Sequence, residues 1–241
     1  MIPADKWRLF DAWFVRHAHT RLTHAFHALY VHGLRETAAV AKDAPLLFVS
    51  NHTSFHDPLV ALVLARALRL DAYAMMDAKN LERLPFFKRV GAFGVDLASP
   101  RDGARALRYG AGLLDRPGRA VWIFPQGKTC AITEPLVFRG GSARIARLAP
   151  SARIVPMAVR YELADAERPI AWVSLGHPLE PHAGRAAEVT QAHVSAVAAE
   201  LARIEASVHA RAPAESFERL FETKPSWLGT FAERALSWMF G

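Results

Sequence analysis

Residues 49–58 read VSNHTSFHDP, so an imidazole, His52, and a carboxylate, Asp57, stand five positions apart behind the apolar run Leu46 to Ser50. An imidazole takes up and releases a proton near neutral pH. A carboxylate on one ring nitrogen fixes the tautomer and favours the imidazolium that forms. A short, continuously apolar run reads as a buried strand, and a histidine at its end projects from the carboxyl edge of a sheet, where α/β proteins bind ligands. One tight loop returns Asp57 to the ring. His52 is then a general base and Asp57 its orienter, and the substrate's own hydroxyl serves as nucleophile.

The same residues admit blander readings. Asp57 followed by Pro58 fits a helix N-cap with proline at the first helical position, leaving His52 as an ordinary loop residue. His52, His56 and Asp57 carry metal-ligating groups, but no third or fourth ligand stands nearby. His17, His19, His24, His27 and His32 lack a consistent ligand spacing, so no metal is expected. Ser54 has no nucleophile-elbow glycines around it. Nothing in the sequence supports Cys130 as a nucleophile.

A second constellation shifts the balance towards chemistry. The stretch WIFPQGKTC, residues 122–130, again ends an apolar strand on a polar, glycine-containing loop. It brings Gln126, Lys128 and Thr129 to the edge that carries His52. FRGGSARIA then places Arg139 and two glycines at a helix start, where exposed amides, the helix dipole and a guanidinium favour an anion. RVGAFGVD, residues 89–96, adds a glycine loop and Arg89.

The elements that must position these loops alternate between strand and helix. The spacing predicts a helix over 5–31, with Trp7, Phe10, Phe14, Leu22, Phe26 and Leu29 on one stripe. Strands are expected at 46–50, in LDAYAMM, RAVWIF, RIVPMAVRY and IAWVSLGHPL. Helices are expected from Asp57 to Leu68, near 79–89, from Arg101 to Leu114, in GGSARIARLAP and over 186–211. Residues 91–100 read as a loop and 215–240 as a helix. Alternation of this kind predicts an α/β fold with a mostly parallel sheet flanked by helices and amphipathic helices at both ends. One domain over 1–241 is expected: an N-terminal amphipathic region over 1–42, a catalytic core over 43–180 and C-terminal helices over 181–241.

Composition excludes several classes. With 51% hydrophobic and 22% charged residues among 241, the chain is not disordered and can bury a full core. No apolar run reaches the roughly 18 residues that span a bilayer. The start, MIPADKWRLFDAW, lacks the pattern of a secretory leader, and the single cysteine fits a reducing compartment. Charge is unevenly spread. Residues 79–160 hold 15 Lys or Arg against 5 Asp or Glu, an excess of +10 in a chain of net charge +7. That centre suits a phosphate-bearing partner or a solvated basic surface. The interleaved aromatic and basic residues of an RNA-binding module are missing, so no nucleic-acid partner is expected.

In four blocks the sequence resembles the glycerolipid acyltransferase family, which includes lysophosphatidic acid acyltransferases. Asn51, His52 and Asp57 match its Asn-His-x4-Asp block. GAFGVD is similar to its second, glycine-containing block. Phe124-Pro125-Gln126-Gly127 stands where the family has Phe-Pro-Glu-Gly, and Val155-Pro156-Met157-Ala158 matches its Val-Pro-x-Ala strand. Order and spacing agree, over about residues 44–160.

The resemblance implies transfer of a fatty acyl group from acyl-CoA or an acyl carrier protein, as co-substrate, to a hydroxyl of a lysophospholipid or similar acceptor. It implies His52 as base, Asp57 as its support, and no cofactor or metal. It implies substrate contacts from Asn51, Arg101, Phe124, Pro125, Gln126, Gly127, Lys128, Thr129 and Arg139. The enzyme would sit peripherally on the cytoplasmic face of the membrane, with the aromatic end helices in the lipid interface. Three positions depart from the family pattern: Gln126 replaces a glutamate, Lys128-Thr129 replaces a threonine-arginine pair, and Leu97 stands where an arginine often follows, with Arg101 nearest. These positions hold the acceptor's phosphate in the family, so the acceptor stays open. A CoA-independent phospholipid–lysophospholipid transacylase is the alternative enzyme, and a non-catalytic binder of anionic lipid or nucleic acid the alternative of another class.

Overall fold

The computed structural model describes residues 1–163, 167–181 and 184–223. Helix α1 spans Arg8–Ala25, strand β1 Ala28–His32, α2 Leu34–Val40, β2 Leu46–Ser50, α3 Asp57–Ala67, β3 Asp71–Asp77 and α4 Ala78–Arg83. A 3-10 turn, Pro85–Val90, leads to β4 Ala92–Val95. Then come α5 Pro100–Gly112, β5 Arg119–Ile123, α6 Gly141–Leu148, β6 Arg153–Glu162, β7 Ile170–Leu175, α7 Ala186–His209 and β8 Phe217–Glu222.

The strands form one sheet of eight in the order β4-β3-β5-β2-β6-β7-β1-β8. Pairings from β4 across to β6 are parallel, as is β7 with β1, while β6–β7 and β1–β8 run antiparallel. Central β2 is buried on both faces, which its unbroken apolar run LLFVS requires. Its side chains alternate between two cores. Leu46 and Phe48 pack with Phe14, Leu22, Leu59 and Leu64 of α1 and α3. Leu47 and Val49 pack on the other side with Ala111 of α5 and Ile145 of α6. The expected α/β fold with a mostly parallel sheet is the fold observed.

Four local expectations are corrected. The helix predicted over 5–31 ends at Ala25. From Ala28 the chain pairs with β7 and becomes part of the sheet. The hydrogen-bonded ladder there outweighs a helical stripe that Phe26 and Leu29 only prolong. Residues 217–222, read as helix, form an edge strand antiparallel to β1, and the rest of that predicted helix lies outside the described residues. The expected loop over 91–100 holds β4, only four residues long and too short for a periodic signal. Gly91 makes the reversal into it, at φ +98° and with the Ala72 carbonyl 2.5 Å from where a Cβ would stand. The short α2 was also not anticipated.

Candidate active site

Strand β2 stops at Ser50, opposite Met157, while its neighbour β6 continues to Glu162. The His52 loop therefore starts beside an overhanging strand. Asn51, expected to touch substrate, is spent on that strand instead. Its buried amide donates to the Val159 carbonyl and accepts from the Val159 amide, both at 2.8 Å. The side chain copies one more rung of the β2–β6 ladder and leaves His52 at the rim. It does not line the cavity described below.

From there the chain folds back on itself. His52 Nδ1 lies 2.7 Å from Asp57 Oδ2. The same oxygen accepts the amides of Thr53 at 2.7 Å and Ser54 at 2.9 Å. Asp57 is fully buried and makes no capping bond to its own helix, so the cap-only reading is overturned. Its carboxylate organises the preceding loop. A carboxylate accepts, so Nδ1 carries the ring's proton and Nε2 is the nitrogen left for a substrate.

The other carboxylate oxygen, Oδ1, accepts the Tyr161 hydroxyl at 2.6 Å. Burial first, then the charge and hydrogen bond of Asp57, push this phenol well above the usual tyrosine value, so it stays a donor. Tyr161 shares a face of β6 with Met157 and Val159, over the His52 loop. Sequence reasoning missed it. No local pattern marks it, because only the β2–β6 register brings a residue 104 positions away onto Asp57.

The 124–130 loop clasps His52 from the opposite side. Gln126 Oε1 accepts the His52 amide at 2.6 Å, and the Cys130 amide donates to the His52 carbonyl at 2.9 Å. Phe124 packs on the imidazole with ring centroids 4.7 Å apart. Gly127 lies at φ +75°, and a Cβ there would meet Arg139 Nε at 3.2 Å, so the guanidinium rests on the bare glycine. Pro125 is buried, and its carbonyl accepts the Arg139 amide at 2.9 Å. Buried Cys130 supports the loop through its backbone.

His52 opens onto a cavity of about 470 Å³. Leu59, Leu62, Met75, Met76, Phe87 and Trp122 give it apolar walls. It extends along β3 from Ala72 to Asp77, a run of about 16 Å. Phe124, Gly127, Lys128 and Thr129 reach it, but Arg101, exposed at the start of α5, does not. Arg101 therefore stands apart from the other predicted site residues. His56 belongs to the wall of the site: its ring packs against Phe26 and Tyr161, and its Nδ1 pairs with Ser54 Oγ at 3.1 Å. Burial lowers its affinity for a proton. Among the described residues no group of side chains is arranged to hold a metal ion.

A held imidazole thus stands beside an elongated apolar cavity at the carboxyl edge of a mostly parallel sheet. The family model described as Acyltransferase matches residues 29–160, more than half of the chain, and the protein belongs to the glycerolipid acyltransferase family. It is accordingly an acyltransferase. None of the curated proteins matches it.

Proposed function

We propose that the protein moves a fatty acyl group from a thioester, acyl-CoA or an acyl carrier protein, to a hydroxyl of a lysophospholipid or related glycerolipid acceptor. His52 Nε2 takes the hydroxyl proton as the oxygen attacks the thioester carbonyl. The C–S bond then breaks, and the imidazolium returns the proton to the leaving thiolate. Asp57 keeps the ring in its tautomer and offsets its transient charge. Lys128 and Thr129, at the cavity, supply donors towards the developing oxyanion. The apolar cavity takes the acyl chain.

The observation that carries this reading is the 2.7 Å His52–Asp57 bond at the mouth of an apolar cavity. Peripheral residence at the cytoplasmic face of the membrane is part of the proposal. Trp7 just before α1 and Leu9 and Trp13 within it are exposed, and Phe86 and Phe55 are exposed nearby and at the cavity. Indoles beside Arg8 and Arg16 suit the headgroup level of a bilayer. No described helix is long and apolar enough to cross one.

The test is transfer of labelled acyl groups from acyl-CoA to a panel of lysophospholipids, with the His52→Ala variant alongside. The wild type is expected to form diacyl product and the folded variant none. A variant as active as the wild type overturns the base assignment. An undiminished wild-type rate in phospholipid membranes free of CoA replaces the thioester donor with a phospholipid one.

A further inference from the structure

Nine arginines among the described residues have a carboxylate partner. Arg116, Arg119, Arg153, Arg160, Arg203 and Arg219 are examples. On one face five without such a partner stand together. Arg101, Arg105 and Arg108 on α5, and Arg144 and Arg147 on α6, are all exposed, and none forms an ion pair among the described residues. Helical spacing puts each set on one stripe of its helix. The two helices pack side by side over the same core, so the stripes share a face. The only carboxylate on either helix, Asp102, is occupied by the Asp96 amide and the N-terminal amine. Like charges at this spacing repel, so nothing internal to the fold is gained by the arrangement.

The position of the face limits its partner. At its upper end Arg139 lies on Gly127, whose loop lines the cavity beside His52. From there it follows α5 and α6 away from the carboxyl edge, Arg108 lying about 10 Å down the helix from Arg101. It also lies across the sheet from α1. The exposed Trp7, Leu9 and Trp13 belong to the layer packed with α3, and the arginines to the layer on the opposite core. A bilayer meeting α1 leaves the arginine face turned to solution.

Resting on the thioester-transfer reading above, we propose that this face docks a small acidic carrier protein, which hands its acyl thioester to the cleft. Phosphates of a free nucleotide donor are within the means of Lys128 at the cavity and of Arg139 beside Gly127. Cations continuing about 10 Å along α5, with two more beside them on α6, fit an extended acidic surface. Charge complementarity of this kind steers encounter and sets KM without entering the chemical step.

The experiment compares the wild type with the triple variant Arg105→Glu, Arg108→Glu, Arg144→Glu and with its Arg→Gln counterpart. Each is assayed with the same acyl chain on carrier protein and on CoA, at low and high salt. Expected is a rise of about tenfold or more in KM for acyl carrier protein, smaller for the Gln triple, with kcat kept and acyl-CoA kinetics within about twofold. Salt should raise the wild-type KM for the carrier and leave that of the Glu variant nearly flat. Equal losses with both donors, or none with either, overturn the docking face. So does release of the variant from anionic phospholipid vesicles with carrier kinetics unchanged, which assigns the arginines to lipid. A wild type active with acyl-CoA but inert with carrier protein refutes the docking and leaves the transfer reading standing. Inertness with both donors removes the transfer reading itself.

Discussion

Tyr161 and Asp57 are joined by a 2.6 Å hydrogen bond that ties the His52–Asp57 pair to the far end of β6. Asp57 therefore holds His52 while itself held from two directions, by the loop amides of Thr53 and Ser54 and by this phenol. In Tyr161→Phe the ring remains and the donor is lost. The freed carboxylate oxygen makes Asp57 a stronger acceptor for the imidazolium, so the acid limb of the pH–kcat profile should move to higher pH. Stability should fall by about 1.5 kcal/mol, the lower end for a bond to a charged group, because other donors remain. Tyr161→Leu also removes the ring stacked on Phe26, so its stability should fall further with the same pH shift, and lost stability without a pH shift in either variant would make the bond merely structural. The profile, measured from pH 5 to 9, decides.

Asp57→Asn keeps the volume and reverses part of the bonding. An amide oxygen can still accept one loop amide, but an NH2 group turned to His52 Nδ1 forces the proton onto Nε2, the nitrogen that must accept it. Transfer should drop by about 10³–10⁴-fold, as for a triad whose imidazole is held in the wrong tautomer. KM should move little. A loss under tenfold would show that His52 chooses its tautomer without Asp57.

Gln126 explains how the protein tolerates an amide where its family has a glutamate. The one bond the side chain makes among the described residues is acceptance of the His52 amide, at 2.6 Å, and either group can accept it. Gln126→Glu should stay within a few-fold of wild type. Gln126→Ala should lower kcat by about 10–100-fold, since a general base displaced by a fraction of an ångström loses its alignment. Steady-state kinetics on both variants check this. Equal loss in the two would mean that the amide NH2 serves the reaction instead.

The legible part of this protein was the part written locally. An apolar run ending on His52, with Asp57 one loop later, fixes a strand, a loop and a helix within about a dozen residues, and the structure has all three. The second loop, at 124–129, was legible for the same reason. What could not be read depended on register. Asn51 looks like a binding residue until β6 is known to overhang it, and Tyr161 looks like an ordinary strand residue until the same overhang places it on Asp57. The sheet's own edges were hidden similarly. β1 and β8 carry helix-like apolar spacing and become strands because β1 pairs with β7 on one side and with β8 on the other. Arg101, chosen as the nearest cation in sequence, faces solvent because α5 starts beyond the cavity.

Away from the site, His193 provides a test of the packing between α6 and α7. Its ring is buried, among the described residues bonded to Ser142 Oγ at 3.0 Å through Nδ1, and burial pulls its pKa down to about 4. The unfolded chain's imidazole titrates near ~6.5. Above that value both states are neutral and the histidine makes no pH-dependent difference. As the pH falls from there, the unfolded state takes a proton that the folded state refuses. Stability is therefore lost progressively down to about pH 4 and levels off below it, by at most about 3 kcal/mol. His193→Gln can keep a bond to Ser142 but cannot be protonated. Urea denaturation at pH 7.5 and pH 4.5 should show a smaller drop in the variant than in the wild type. Parallel losses in the two proteins would place the acid sensitivity elsewhere, in the carboxylates of the surface ion pairs.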